Sequence, residues 1–316
     1  MPIVTLAEIL SDAHKRKYAV AMFDVHNLEM TNAVIETANE EKSPIIIALA
    51  EVHAEEIKVM EDIANIMVYA AKRSDVPVCV HYDHGMNLEH CIRVMHLGFS
   101  SVMYDGSTLP YEENVRRTKE VKRFARIFGA SVEGELGHVG GGEGGTEDGH
   151  GVVYTDPDET VDFTNKTGVD ALAVSIGTAH GVYKEKPKLD LNRLRDIRAK
   201  TQVPLVLHGG SGLSDLDFKN CVQGGISKIN IYTEIVQVAM NRIQCEVSSP
   251  YSPQCACYEP KTEYTREEIV EKTTAYLQTL FSGKKMQYSD LMQLSTSGMK
   301  EAIRHKLRLF GSSGKA

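Results

Sequence analysis

In the stretch His81-Tyr82-Asp83-His84-Gly85 a carboxylate stands beside an imidazole, directly after the apolar run Val76-Pro77-Val78-Cys79-Val80. Where a buried strand surfaces, that pair suits metal chemistry coupled to proton transfer. A polar strand end with a helix cap is the plain alternative. The pattern recurs downstream. Asp105 closes the apolar run Ser100–Tyr104, Glu133 and Glu135 lie on one that starts at Ala130, and His180 follows Ala171–Ser175. His208 then follows Pro204–Leu207, and Asn230 lies in Ser227–Ile231. Three imidazoles at three strand ends, each beside a glycine, have the number and type for a catalytic zinc with one open position.

The elements that must position these residues are legible as short apolar runs alternating with helical stripes. Thr5 with Glu8 reads as a capping box, opening a helix with Leu6, Ile9, Leu10 and Ala13 on one face. Tyr18–Phe23 is a first strand and Pro44–Leu49 a second; a stripe from Ile57 through Met67 to Ala71 leads into the strand before His81. Tyr111–Phe128 is helical, and Asp156-Pro157 with Glu159 reads as a cap, a proline at the first helical position and a capping acid. Eight such alternations with continuously apolar strands predict a parallel sheet buried on both faces. Closed on itself, that is a (β/α)8 TIM barrel with a C-terminal helical extension. An open doubly wound sheet ranks second, because no dinucleotide-type glycine motif follows the first strand. One barrel domain is expected over 1–316, with an atypical excursion at about 246–288 and a terminal helix at about 289–310.

Two segments look built for a phosphate. Ser175 to Lys184 offers bare amides around Gly177 and Gly181, and His208 to Ser214 offers Gly209, Gly210 and Gly212 with the Ser211 hydroxyl. Ser214 reads as a helix start, and Thr233 as the cap of the helix after strand eight. Exposed amides and the positive end of a helix favour an anion, and the loops after strands seven and eight are a barrel's usual phosphate position. The stretch Gly137–Gly151 holds eight glycines, which reads either as a surface loop or as a lid carrying Glu143.

Bulk properties narrow the classes. With 42% hydrophobic and 25% charged residues over 316 positions the chain is globular in composition. A net charge of −8 argues against nucleic-acid and anionic-membrane partners, and no apolar run approaches a bilayer span. The amino-terminal residues carry no basic stretch before an apolar core, so a secretory signal is not expected. Six cysteines without framework spacing suit a reducing, cytoplasmic compartment.

Taken together, Tyr82–Gly85, Gly98–Ser107, Val132–Gly137, Ile176–Lys184, His208–Gly212 and Lys228–Asn230 resemble the class II, zinc-dependent ketose-bisphosphate aldolases, the fructose- and tagatose-bisphosphate group. The resemblance covers roughly residues 1–245 and returns at Arg308–Ala316. It implies that His84, His180 and His208 hold zinc, with Asp105 and Glu135 near a second or resting metal position. It implies that Asp83 handles the C4 hydroxyl proton, that Glu143 exchanges the C3 proton, and that Asn230 touches the reacting part of the substrate. Gly181, Lys184, Gly209, Ser211 and Thr233 would surround the C1 phosphate, with a sodium or potassium ion nearby in some members. The implied reaction is reversible cleavage of a ketose 1,6-bisphosphate to dihydroxyacetone phosphate and an aldehyde, by a homodimer or homotetramer. The metal would serve as the electron sink that a carbanion beside a carbonyl requires.

Three positions depart from that family. Ala50 stands where many relatives have serine, Tyr232 where they have aspartate or alanine, and Val236 where they carry the cation for the distal phosphate. A missing cation removes a charge-assisted contact of about 1.5–3 kcal/mol, so the 1-phosphate end is the firmer expectation. His53 or Arg242 could supply the charge. A metal-dependent hydrolase and a non-catalytic phosphosugar-binding protein are the competing readings. The first lacks a His-x-His pair at Phe23-Asp24-Val25-His26, and the second leaves the full set of acids and imidazoles without a use.

Overall fold

The computed structural model describes residues 3–57, 60–141, 151–181, 183, 187–247, 265–268, 270–271, 274 and 287–316. Eight parallel strands close on themselves: β1 Val20–Asp24, β2 Ile45–Ala50, β3 Val78–Gly85, β4 Ser101–Tyr104, β5 Ser131–Leu136, β6 Ala171–Val174, β7 Leu205–Leu207 and β8 Ile226–Ile231. The seam is made by β1 on β8, with Met22 opposite Asn230. The predicted (β/α)8 barrel is the observed one.

Every strand residue is buried, and alternation decides against what. Phe23, Ile47, Val80, Tyr82, Val102, Leu172 and Ile229 face outward into one large core shared with the helices. Val20, Met22, Ile46, Ala48, Cys79, Met103, Ala173 and Val206 face inward. They meet Leu6, Ile9, Leu10 and Ala13 of α1 (Leu6–Arg16), which thereby fills the barrel's N-terminal end with apolar side chains. The opposite, C-terminal end is left to the polar residues. The Thr5–Glu8 capping box fixes where α1 begins.

Further helices are α2 Leu28–Glu41, α3 Glu51–Ile57, α4 Met60–Lys72, α5 Leu88–His96, α6 Tyr111–Phe128, α7 Pro157–Thr167, α8 Leu191–Lys200, α9 Asp215–Gln223, α10 Thr233–Val247 and α11 Tyr288–Leu309. Asp156 caps α7 with Pro157 in its first turn, and Ser214 opens α9 in a capping box, as the sequence indicates. Two expectations need revision. Helix α3 follows β2 without a loop, although the apolar stripe starts only near Ile57. Strand β3 runs on through His81 to Gly85, because polar side chains here point into a covered barrel rather than to solvent.

The terminal helix α11 packs against α10 and α2, and the chain end is tied back by Ser312 Oγ to Ser43 Oγ at 2.9 Å and by Gly314 N–H donating to Glu41 O at 2.9 Å. Most of the excursion expected at about 246–288, with Cys255 and Cys257, lies outside the described residues. Among the described residues no helix is long and apolar enough to cross a membrane.

Candidate active site

Inward residues at the C-terminal ends of the strands converge, and the three expected metal ligands do so first. His84 ends β3, His180 follows β6 and His208 follows β7. Their ring centroids are 4.9 Å (His84–His180), 4.6 Å (His84–His208) and 5.9 Å (His180–His208) apart. One nitrogen from each lies within 4.8 Å of the other two. His84 takes a left-handed backbone conformation, φ +49°, at a register shift between β3 and β4. That conformation is unfavourable for a residue with a Cβ and is found at sites that need it.

Two carboxylates set the orientation of the rings. Asp105 Oδ2 takes the Nδ1 hydrogen of His84 at 2.7 Å, and Glu133 Oε1 takes the Nε2 hydrogen of His208 at 2.8 Å. The other nitrogens of the two rings, His84 Nε2 and His208 Nδ1, face each other at 2.8 Å, with Asn230 Nδ2 3.3 Å from the latter. Nitrogens this close, with His180 beside them, are placed to share one cation. Imidazole ligands backed by carboxylates are the donor set of a zinc site. The residues fit the group.

Glu135 ends β5 with Oε1 accepting from Val139 N–H at 3.1 Å, while its buried Oε2 has no hydrogen-bond partner among the described residues. One oxygen of Glu135, one of Asp105 and a nitrogen of His84 lie within 4.8 Å of one another, as a second metal position requires. Burial, reinforced by the charge of Asp105, lifts Glu135 well above the usual carboxylate range. Asp105 itself is drawn low: burial opposes ionisation, and the bond and charge of His84 outweigh it.

Asp83 lies beside His84, fully buried. Asn230 Nδ2 donates to its Oδ2 at 3.2 Å, and His81 Nε2 is 3.4 Å from its Oδ1. Burial would raise Asp83, but the charge of His84, the adjacent His81 ring and the ammonium of Lys228 hold it well below the usual range. It stays ionised at neutral pH, the state that accepts a hydroxyl proton.

Gly181, Gly209, Ser211 and Thr233 line one cleft together with His180, Asn230, Asp24 and Tyr232. Tyr183 stitches its two loops, since its hydroxyl donates to Gly209 O at 2.7 Å and accepts from Ala179 N–H at 3.0 Å. Ser211 Oγ accepts from the N–H groups of Tyr232 and Glu234, both at 3.3 Å, and so occupies the helix start expected for an anion. Thr233 is the first residue of α10 rather than its cap. Glu143 and Lys184 lie outside the described residues. The base of the glycine-rich segment is paired, His138 with Val153 and Gly140 with Ala179.

Arg242 does not reach the site; it pairs with Glu301 across α10 and α11. Val236 is half-buried against the outer core. What stands at the mouth instead is a ring cluster, with His53–Tyr232 centroids 4.3 Å apart and His26–His53 5.3 Å apart. Asp24, Glu133 and Lys228 are the site residues given no role from sequence. Their signal is alternation: each sits on the inward register of a strand whose other face is apolar.

Comparison with known proteins agrees with this geometry. The family described as Fructose-bisphosphate aldolase class-II matches residues 4–315. The chain is 36% identical over 318 residues to the fructose-bisphosphate aldolase of Geobacillus stearothermophilus, covering 100% of this chain and 99% of that one. It is 42% identical over 241 residues to the Escherichia coli protein YdjI, described as uncharacterized, covering 76% of this chain and 86% of the relative. The crystal structure of the YdjI aldolase superposes with a TM-score of 0.79 at 33% identity, covering 99% of each chain. With a barrel, a three-imidazole centre and a family match that runs nearly end to end, this chain belongs to the class II fructose-bisphosphate aldolases and is a carbon–carbon lyase.

Proposed function

We propose that the protein is a zinc-dependent aldolase that reversibly cleaves a ketose 1-phosphate between C3 and C4, giving dihydroxyacetone phosphate and an aldehyde. The observation that carries this reading is the convergence of His84, His180 and His208 with Asp105 and Glu133 behind two of them. Zinc bound there supplies a Lewis acid that accepts electron density from the carbonyl end of the substrate. The chain's own residues do the rest. Asp83 takes the C4 hydroxyl proton as the C3–C4 bond breaks, the aldehyde leaves, and the bond's electron pair remains with the dihydroxyacetone phosphate half. Asn230, which bonds Asp83, keeps that carboxylate aimed at the hydroxyl. Glu143 returns a proton to C3. Gly181, Gly209, Ser211 and Thr233, with Lys184, hold the C1 phosphate, and Asp105 with Glu135 offers a resting position for the metal.

Fructose 1,6-bisphosphate and tagatose 1,6-bisphosphate are the first substrates to consider. A second reading, a ketose 1-phosphate without a distal phosphate, is favoured by the mouth of the site, where His26, His53 and Tyr232 present rings and Arg242 is turned away. The proposal includes assembly as a homodimer or homotetramer in a reducing cytoplasm, a compartment that the buried thiols of Cys79, Cys91 and Cys221 suit. A panel of both bisphosphates and ketose 1-phosphates, run with and without chelator in sodium and in potassium buffers, tests the proposal. Chelator-sensitive release of dihydroxyacetone phosphate supports it; turnover that survives chelation, or net addition of water to the substrate, overturns it.

A further inference from the structure

Beneath the metal centre, inside the barrel, lies an ammonium group that the proposed reaction brings into no contact with substrate. Lys228 on β8 is fully buried. Its Nζ is 2.7 Å from Glu133 Oε2 and 3.9 Å from Asp83 Oδ1. Sealed from solvent and paired, it is not placed to attack a substrate carbonyl. Glu133 is also fully buried, and its two oxygens are divided between two neighbours: Oε2 receives Lys228, and Oε1 receives His208 Nε2–H. A planar carboxylate held at both oxygens does not rotate, so the His208 ring is held as well, with Nδ1 aimed at His84. A buried ion pair adds little net stability over apolar residues of similar volume. Folding alone therefore gives no reason for charges here. Partners behind a ligand set its tautomer and orientation.

We propose that Lys228 is a positioning residue of the metal centre, acting through Glu133 to fix His208. The inference rests on the reading of His84, His180 and His208 as ligands of the divalent cation. It differs from a general electrostatic role, such as the effect of Lys228 on Asp83, in predicting that the influence of Lys228 on metal binding passes only through Glu133.

The test is cobalt binding, followed by the visible ligand-field spectrum and by chelator competition, on the full chain carrying K228M, E133Q or both. Circular dichroism reports folding, and H208A serves as the reference. K228M and E133Q should each weaken cobalt binding by about 10–100-fold and alter the spectrum, while the double variant should be no weaker than E133Q alone. Wild-type affinity and spectrum in folded K228M, or additive losses in the double variant, overturn the proposal. Should K228M fail to fold, wild-type binding by E133Q overturns it equally, and weakened binding by E133Q with an altered spectrum supports it. If H208A binds cobalt as well as wild type, the ligand assignment itself is wrong; if H208A loses the metal and K228M does not, only this inference fails.

Discussion

Replacing Gly209 by alanine separates what the backbone requires from what the site requires, because the structure contains its own control. Gly209 has φ +64° and Gly129, just beyond α6, has φ +68°. A Cβ at Gly129 meets nothing within 4 Å, whereas a Cβ at Gly209 would lie 2.4 Å from Ala179 O and 2.7 Å from Ala179 C. Both substitutions carry the left-handed penalty of about 1–2 kcal/mol. Only Gly209→Ala adds a clash with backbone, and overpacking of that kind costs about 1–3 kcal/mol more. The atoms that must give way adjoin His180, whose N–H donates to Gly140 O at 2.9 Å, so the β6 loop moves with its proposed metal ligand. Thermal unfolding, zinc affinity and turnover should be measured on both variants. Gly129→Ala should lose about 2–4 °C for each kcal/mol with unchanged turnover. Gly209→Ala should lose at least twice as much stability, with zinc affinity and turnover reduced about tenfold or more. Equal stability losses, or a fully active Gly209→Ala, would refute the reasoning.

Glu135→Gln should stabilise the metal-free protein, and more at pH 8 than at pH 5. The raised carboxyl makes ionisation unfavourable in the fold, so stability falls as pH climbs above the ordinary value of 4.5; an equal unfolding temperature in variant and wild type at both pH values contradicts this. Glu133 behaves oppositely: burial opposes its ionisation, but the Lys228 ammonium and the His208 bond bring it down to about 2. Its contribution is complete above the ordinary value of 4.5 and is lost as pH falls toward 2, so urea midpoints of wild type and Glu133→Gln should converge across that window. Zinc at a hundredfold excess over its dissociation constant should stabilise the folded protein by about 2.7 kcal/mol, and chelation should reverse the effect. An equal zinc-dependent gain in the His84→Ala, His208→Ala double variant would show that the metal sits elsewhere.

The order of elements and the location of the chemistry were legible in the chain itself. Continuous apolar runs require a sheet covered on both faces, and a polar residue ending such a run has only the barrel's open end to occupy. That physics places Asp83, His84, Asp105, Glu135, His180, His208 and Asn230 on one rim before any coordinate is known. Other features depended on tertiary structure, because they join residues far apart in the chain. The bond of Asp105 to His84 spans 21 positions and that of Glu133 to His208 spans 75. Closure of the sheet decides which carboxylate backs which ring, and no local pattern encodes it. The same holds for Arg242, whose charge reads as available in sequence, yet α11 supplies Glu301 to hold it on the outside. Lys228 is the clearest case. A lysine within a strand suggests an exposed face, and only the closed barrel, with α1 filling its floor, turns that ammonium inward against Glu133.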